Sequence, residues 1–162
     1  MSVDPRHESG TIRTGHGRYF EEFQPGQSFV GSSRTITDAE LSMLACMLGA
    51  LSPLFLDEEH ARQTVHGGRI LYGPAVLGIA IGLTESVIHG TVMALLGIDE
   101  VRFRRSVRAG DTITTRTDVV ETRPSAEGGR GIIRVKDTVT NQRGELVLEF
   151  WRSILVAARP AT

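Results

Sequence analysis

Residues 71–89 read LYGPAVLGIAIGLTESVIH, and the rest of the chain is organised around them. Pro74 suits a first helical turn, where its missing N–H would be unpaired in any case. From Ala75 to Leu83 the residues are apolar on every side of a helical wheel, the pattern of a buried helix and not of a surface one. Gly78 and Gly82 lie four apart on one face and let another backbone approach, at a cost in helix propensity. Thr84, Glu85 and Ser86 break the run before it reaches the ~20 apolar residues that a bilayer span needs. The expectation is therefore a long buried helix over about Tyr72–His89, and such a helix needs a wrapper.

The flanking sequence supplies one. Ser28–Thr37 is β-prone. Thr37 or Asp38 then caps a helix, with Glu40 placed as the capping-box partner of Thr37 and with Leu41, Leu44, Ala45 and Leu48 along one face. Ala50–Asp57 reads as an irregular stretch centred on Pro53, Asp57–Gln63 as a short acidic helix, and Val65–Leu71 as a glycine-rich loop. Beyond Gly90 the composition turns to β. Strands are expected over Thr91–Leu96 with Ile98–Arg105, then Thr112–Thr122, Ile132–Thr140 and Glu145–Ala157, divided by turns at RAGD, PSAEGGRG and NQRG. This order gives an α+β class: one domain over residues 18–159, with a single antiparallel sheet curved around one apolar helix. Residues 1–17 are polar and glycine-rich and read as a mobile arm, which leaves His7 and His16 without an ordered setting.

Composition narrows the function classes. The 162 residues carry a net charge of −1, so no global field draws the protein to nucleic acid or to an anionic membrane. The one cysteine, Cys46, rules out an intramolecular disulfide and a cysteine-rich zinc site, and its apolar surroundings suggest a small buried hydrophobe. No metal centre and no resident cofactor are expected. The first residues lack the apolar stretch of a signal peptide, which points to a cytoplasmic protein.

Four stretches occur in order: RTITDAELSMLACMLG, SPLFLDEEHA, GGRILYGPAVLGIAIGL and VRFRRSVRAGDTI. Together they resemble the MaoC-like branch of the hot-dog fold, over about Gly17–Arg159. The resemblance implies hydratases or dehydratases acting on acyl thioesters of coenzyme A, working as dimers with acyl tunnels near the subunit interface. It also implies an Asp and, five positions later, a His, in a pattern resembling Gly-Asp-x-Asn-Pro-x-His-x-Asp. Hydration of an unsaturated thioester needs a base to activate water and an acid to protonate the α-carbon. It also needs N–H donors for the enolate oxygen, which the start of a buried helix can offer.

This chain reads Gly49-Ala50-Leu51-Ser52-Pro53-Leu54-Phe55-Leu56-Asp57. The Asp position is Ala50, the Asn position Ser52 and the His position Phe55, and neither Ala nor Phe can carry a proton. Losing one acid or base costs ~10²–10⁴-fold, so the ordinary hydratase mechanism is expected to be absent. A pocket walled by Ala50, Phe55 and Leu56 would be more apolar than the family's. Three polar side chains are left as catalytic candidates. Tyr72 precedes the central helix where the family often has His, although a tyrosine there also packs its ring and bonds backbone. His66 stands where the family commonly has an aromatic residue, and its titration range suits proton transfer. Ser52 can bond a ligand or simply cap a turn. Gly73 is expected to lend its backbone N–H, together with Tyr72 and Ala75. Arg104 and Arg105, with Arg108 nearby, could contact a cofactor-type phosphate on the substrate or form a solvated sheet edge. Asp57 and Glu58 are read as helix-capping residues and His60 as solvent-facing.

Three functions compete on this reading. The first is a repurposed enzyme, dehydratase-like, isomerase or cyclase, on an acyl-thioester or polyketide-like substrate carried on coenzyme A or an acyl carrier. The second is a non-catalytic acyl-binding or supporting subunit that pairs with an active hot-dog partner. The third is an (R)-enoyl-CoA hydratase using other residues. A homodimer is the default assembly, with no nucleic-acid or membrane partner.

Overall fold

The structure, a computed structural model, describes residues 17–160. Thus residues 1–16 of the expected arm, with His7 and His16, lie outside the described residues. Strict alternation writes the sheet. In β4 (Arg130–Asn141) every second residue from Gly131 to Asn141 is buried, and period-two burial is what a sheet with one core face produces. The other strands are β1 (Ser28–Thr35), β2 (Val92–Phe103), β3 (Thr112–Pro124) and β5 (Leu146–Ala157). They form one antiparallel sheet in the order β1-β3-β4-β5-β2. Its inner face presents Ile113, Val139, Val147, Leu148 and Phe150 to Ala75, Val76 and Ala80 of the central helix, with Ile36, Leu41, Leu71 and Val107 closing the same cluster. The α+β arrangement of one curved antiparallel sheet around one helix is as the sequence implied.

Helix α1 (Asp38–Met47) starts as expected. Thr37 is its N-cap, and Glu40 accepts both the Thr37 N–H and the Thr37 hydroxyl at 2.8 Å. Arg34 is ion-paired to the same carboxylate. Two further short helices, α2 (Pro53–Leu56) and α3 (Glu58–Arg62), precede the central helix α4 (Gly73–Gly82).

The central helix departs from expectation in two ways. It ends at Gly82 and not near His89, and a 3-10 turn at Glu85–Val87 follows. The Thr84 hydroxyl donates to the Ile81 carbonyl at 2.8 Å, and Ser32 of β1 donates its N–H to the Leu83 carbonyl at 3.0 Å. Those acceptors are thereby taken, and the apolar residues Val87 and Ile88 continue the core without continuing the helix. β1 can cross there because Gly31 has no side chain: a Cβ would collide with the Leu83 carbonyl. The second departure is burial. Pro74, Gly78 and Gly82 form an exposed stripe along α4. It floors an apolar groove of about 520 Å³ between α4 and α1, with Leu44, Leu48 and Arg34 on the other wall. Cys46 is likewise exposed and not buried, on the outward side of α1 beside the exposed Met43 and Met47. The heptad-like run through α1 is apolar on more than the face that the core uses.

Beneath the end of α4 lies a polar cluster inside the core. Asp137 is 0% and Arg152 3% exposed. Arg152 grips Asp137 through Nε at 2.6 Å and Nη2 at 2.9 Å, the Thr117 hydroxyl donates to the same carboxylate, and Arg152 Nη2 also reaches the Thr84 hydroxyl at 3.0 Å. A bidentate guanidinium–carboxylate pair with hydroxyl partners on both sides can persist in a low-dielectric interior, but neither partner can be removed alone without stranding a charge. Asp137→Ala is expected to cost about 3–5 kcal/mol in urea denaturation at fixed protein concentration, while the paired change Asp137→Leu with Arg152→Met costs less than the single one. A single-variant loss under about 1 kcal/mol would mean that water reaches Arg152.

The Glu40 carboxyl is held below its ordinary range first by the Thr37 N–H and then by the Thr37 hydroxyl and Arg34, against partial burial. A depressed folded value makes this stabilisation complete above the unfolded pKa of about 4.3 and lost as pH falls through the lower folded one. Glu40→Gln is therefore expected to be less stable than the parent at pH 7 and to converge with it on acidification. A gap between the two denaturation curves that stays constant down to pH 3 would contradict this.

Candidate functional site

The segment carrying Ala50, Ser52, Phe55 and Leu56 is folded by local rules. α1 closes with Gly49 in a left-handed conformation (φ +70°), and the Ala50 N–H returns to the Ala45 carbonyl at 2.8 Å. Ser52 then caps α2, its hydroxyl accepting from the Leu54 N–H at 3.4 Å, with Pro53 in the first turn. The stretch expected to be irregular around Pro53 is thus a helical turn, because cap and proline agree on it. Asp57 caps α3 by accepting the His60 N–H at 3.0 Å, and His60 is exposed, as read from sequence. Glu58 does other work: it accepts the Arg69 N–H at 3.1 Å and pairs with Arg62.

Ala50, Phe55 and Leu56 are half-buried and Ser52 is exposed. The Phe55 ring meets Tyr72 edge-on, with centroids 5.3 Å apart and planes at 66°, a favoured arrangement of ring quadrupoles. The loop holding the family's expected dyad positions therefore does meet the start of the central helix, through two aromatic rings.

A second set of residues gathers on the other side of that helix start. Arg69 ties the glycine loop down, bonding Asp38 at 2.6 Å and Ser42 at 2.8 Å. The Leu71 N–H donates to the Val107 carbonyl at 2.8 Å. These bonds lay the loop against the segment after β2, and they bring the His66 Nδ1 to 2.7 Å from the Ser106 hydroxyl. His66, Gly73, Phe103, Arg104, Arg105 and Ser106 line a groove of about 280 Å³. The Phe103 ring lies against the start of α4, so that a Cβ on Gly73 would stand 3.3 Å from it.

The residues expected as one site are thus split between two walls. Ala50, Ser52, Phe55, Leu56 and Tyr72 do not line the groove that holds His66, Gly73, Arg104 and Arg105, and the two groups adjoin only where Tyr72 leads into Gly73. The donor set is also smaller than expected. The Ala75 N–H is taken by the Tyr72 carbonyl at 2.9 Å, Pro74 has none, and Gly73, as first residue of α4, has no carbonyl one turn earlier in the helix to receive its own. Arg104 places Nε and Nη2 on one oxygen of Glu149, at 2.9 and 2.7 Å, and holds the Glu149 carboxyl below its ordinary range. Its charge is largely countered. Arg105 is freer, 3.6 Å from Glu145. Ser106 was not singled out by sequence reasoning. No spacing rule points to a serine forty residues beyond a histidine, and only the fold joins them.

Among the described residues, no group of three or more His, Cys, Asp or Glu side chains could hold a metal ion, and no helix is long and apolar enough to cross a membrane.

Comparison with known proteins agrees with this architecture. Residues 22–141 match the MaoC like domain family. The β-methylmalyl-CoA dehydratase of Chloroflexus aurantiacus is 30% identical over 150 residues, which cover 92% of this chain and 43% of that protein. The (R)-specific enoyl-CoA hydratase of Rhodospirillum rubrum is 26% identical over 141 residues, covering 87% of this chain and 93% of that protein. A solved structure described as a monoamine oxidase regulatory protein from Archaeoglobus superposes with a TM-score of 0.81 at 38% identity, over 89% of this chain and 97% of the other. The chain spans less than half the length of three of the curated relatives it matches. With the family matched over most of the sheet and all of the central helix, and the same wrapped architecture in a solved relative, the chain belongs to the MaoC-like dehydratase domain family and carries its hot-dog fold.

Proposed function

We propose that this protein is a MaoC-like domain that takes an acyl-thioester or related polyketide-like substrate without the family's hydration chemistry, as a repurposed enzyme of the dehydratase-like, isomerase or cyclase kind. One observation carries the reading: Phe55 packs its ring on Tyr72 at the start of the central helix. In this reading Phe55 and Ala50 occupy the positions of the family's His and Asp. An apolar ring then stands where a proton carrier is needed, and water-based acid–base chemistry has no agent on that wall. Acyl-thioester recognition is supported by the relatives, whose names include a CoA-thioester dehydratase and an enoyl-CoA hydratase. The groove beside Gly73 supports it too, since it offers apolar walls for an acyl group and the guanidinium of Arg105 for an anionic carrier.

The second reading, a supporting subunit, is favoured by the sheet edge. Among the described residues β2 has a strand partner only on its β5 side, and it exposes Val92, Met93, Leu95, Leu96 and Phe103. An open apolar edge of this kind calls for another chain. A second copy of this chain is the proposed occupant, and a hot-dog partner carrying an intact Asp and His is the alternative.

Crotonyl-CoA hydration, followed as loss of enoyl-thioester absorbance, is expected to run at least ~10²-fold below an ordinary turnover of about 10 s⁻¹. Calorimetry should still register binding of a saturated acyl-CoA. Ordinary turnover would mean that another base has been recruited. Sedimentation velocity at micromolar concentration is expected to give a dimer of the chain alone, and a monomer would turn the argument toward a different partner subunit.

A further inference from the structure

We propose that Ser106 and His66 form a serine–histidine acyl-transfer pair, so that the groove at the start of α4 hydrolyses acyl thioesters through an acyl-serine intermediate. The proposal rests on the acyl-thioester reading only for the identity of the leaving group.

The Ser106 hydroxyl lies 2.7 Å from the His66 Nδ1. With the imidazole proton on Nε2, Nδ1 is the acceptor and the hydroxyl donates to it, which is the relation of a nucleophile to its general base. The two side chains make few other bonds. A serine in a connecting segment commonly bonds local backbone. The Ser106 hydroxyl instead makes its side-chain bond to a residue 40 positions away, and the His66 ring bonds no other described residue. Both side chains are half-buried and open into the groove. Phe103 offers an apolar wall for an acyl chain, and Gly73 carries the first N–H of a ten-residue helix. Arg105 stands at the side for the phosphates of a carrier.

The steps balance with water as the only co-reactant. The Ser106 Oγ attacks the thioester carbonyl carbon while its proton passes to His66 Nδ1, and the carbonyl oxygen becomes an oxyanion. The C–S bond breaks and the departing sulfur takes the proton from Nδ1. A water then gives its proton to Nδ1 and attacks the acyl-serine, and Oγ leaves with that proton. One thioester and one water become a carboxylic acid and a free thiol. Among the described residues no carboxylate backs His66, so the pair is a slower device than a full triad.

The test uses the full chain with a fluorophosphonate probe and with p-nitrophenyl butyrate, neither of which requires carrier recognition. Labelling is expected at Ser106 by peptide mass, and ester hydrolysis is expected to fall by about 10²-fold or more in Ser106→Ala and in His66→Gln. His60→Ala should match the parent. Thermal melts and sedimentation of each variant establish that it folds. No label, label on another residue, or undiminished hydrolysis in a folded Ser106→Ala would overturn the proposal. Butyryl-CoA separates the two readings, with release of coenzyme A read by chromatography because the exposed Cys46 would consume a thiol reagent. Labelling of Ser106 without binding or cleavage of butyryl-CoA supports the pair and removes the acyl-thioester reading. Binding of butyryl-CoA without labelling removes the pair and leaves that reading in place.

Discussion

Ten residues, GPAVLGIAIG, make a helix with no polar side chain anywhere on it, and such a helix needs cover over most of its surface. The rest of the structure answers that constraint. The inner face of the sheet covers Ala75, Val76 and Ala80, and the Thr115 hydroxyl donates to the Ala80 carbonyl at 2.9 Å, tying the sheet to the helix backbone. The other side of the helix is left with small residues, Pro74, Gly78 and Gly82, which expose little side chain and leave room for a neighbour. The same constraint fixes where chemistry can occur. The Gly73 N–H at the first turn has no acceptor within the helix, and the two walls of candidate residues adjoin there.

The fold was readable from the sequence to the extent that it was written in periods. Alternation through Ile133, Val135 and Val139 and the capping box at Thr37 and Glu40 are local statements, and local statements survive folding. The length of α4 was not readable. Val87 and Ile88 extend an apolar pattern that helix and non-helical core share, and the end was decided by two hydrogen bonds, from Thr84 and Ser32, that no window of sequence contains. Cys46 failed for a related reason: an apolar residue on α1 is counted as core unless the partner that leaves that side open is known. Arg152 and Asp137 could have been found, since both fall on inward positions of their strands, between Phe150 and Ile154 and between Val135 and Val139. Their pairing follows from the register that sets β4 against β5.

The candidate site divides along the same line. The meeting of Phe55 with the start of α4 was legible, because the resemblance places that loop against that helix. The neighbour of His66 was not. Ser106 reaches it only because Arg69 fastens the glycine loop to α1 and Leu71 bonds Val107. A sequence names side chains that can do chemistry, and long-range backbone bonds decide which of them touch.

The order of strands also bears on how the molecule is made. Among the described residues, β2 is drawn into the sheet only by β5, the last of the five strands in chain order, and β5 is at the same time the partner of β4. On the ribosome, α4 and β2 emerge with their apolar faces and wait for a strand that is still to come. Loop closure over that separation is slow relative to local helix formation, so Ala75, Val76 and Ala80 of α4, which pack with Val147, Leu148 and Phe150 in the finished core, stand uncovered on that side until β5 arrives. The cover of the most apolar helix is thus completed by the strand that lies farthest from it along the chain.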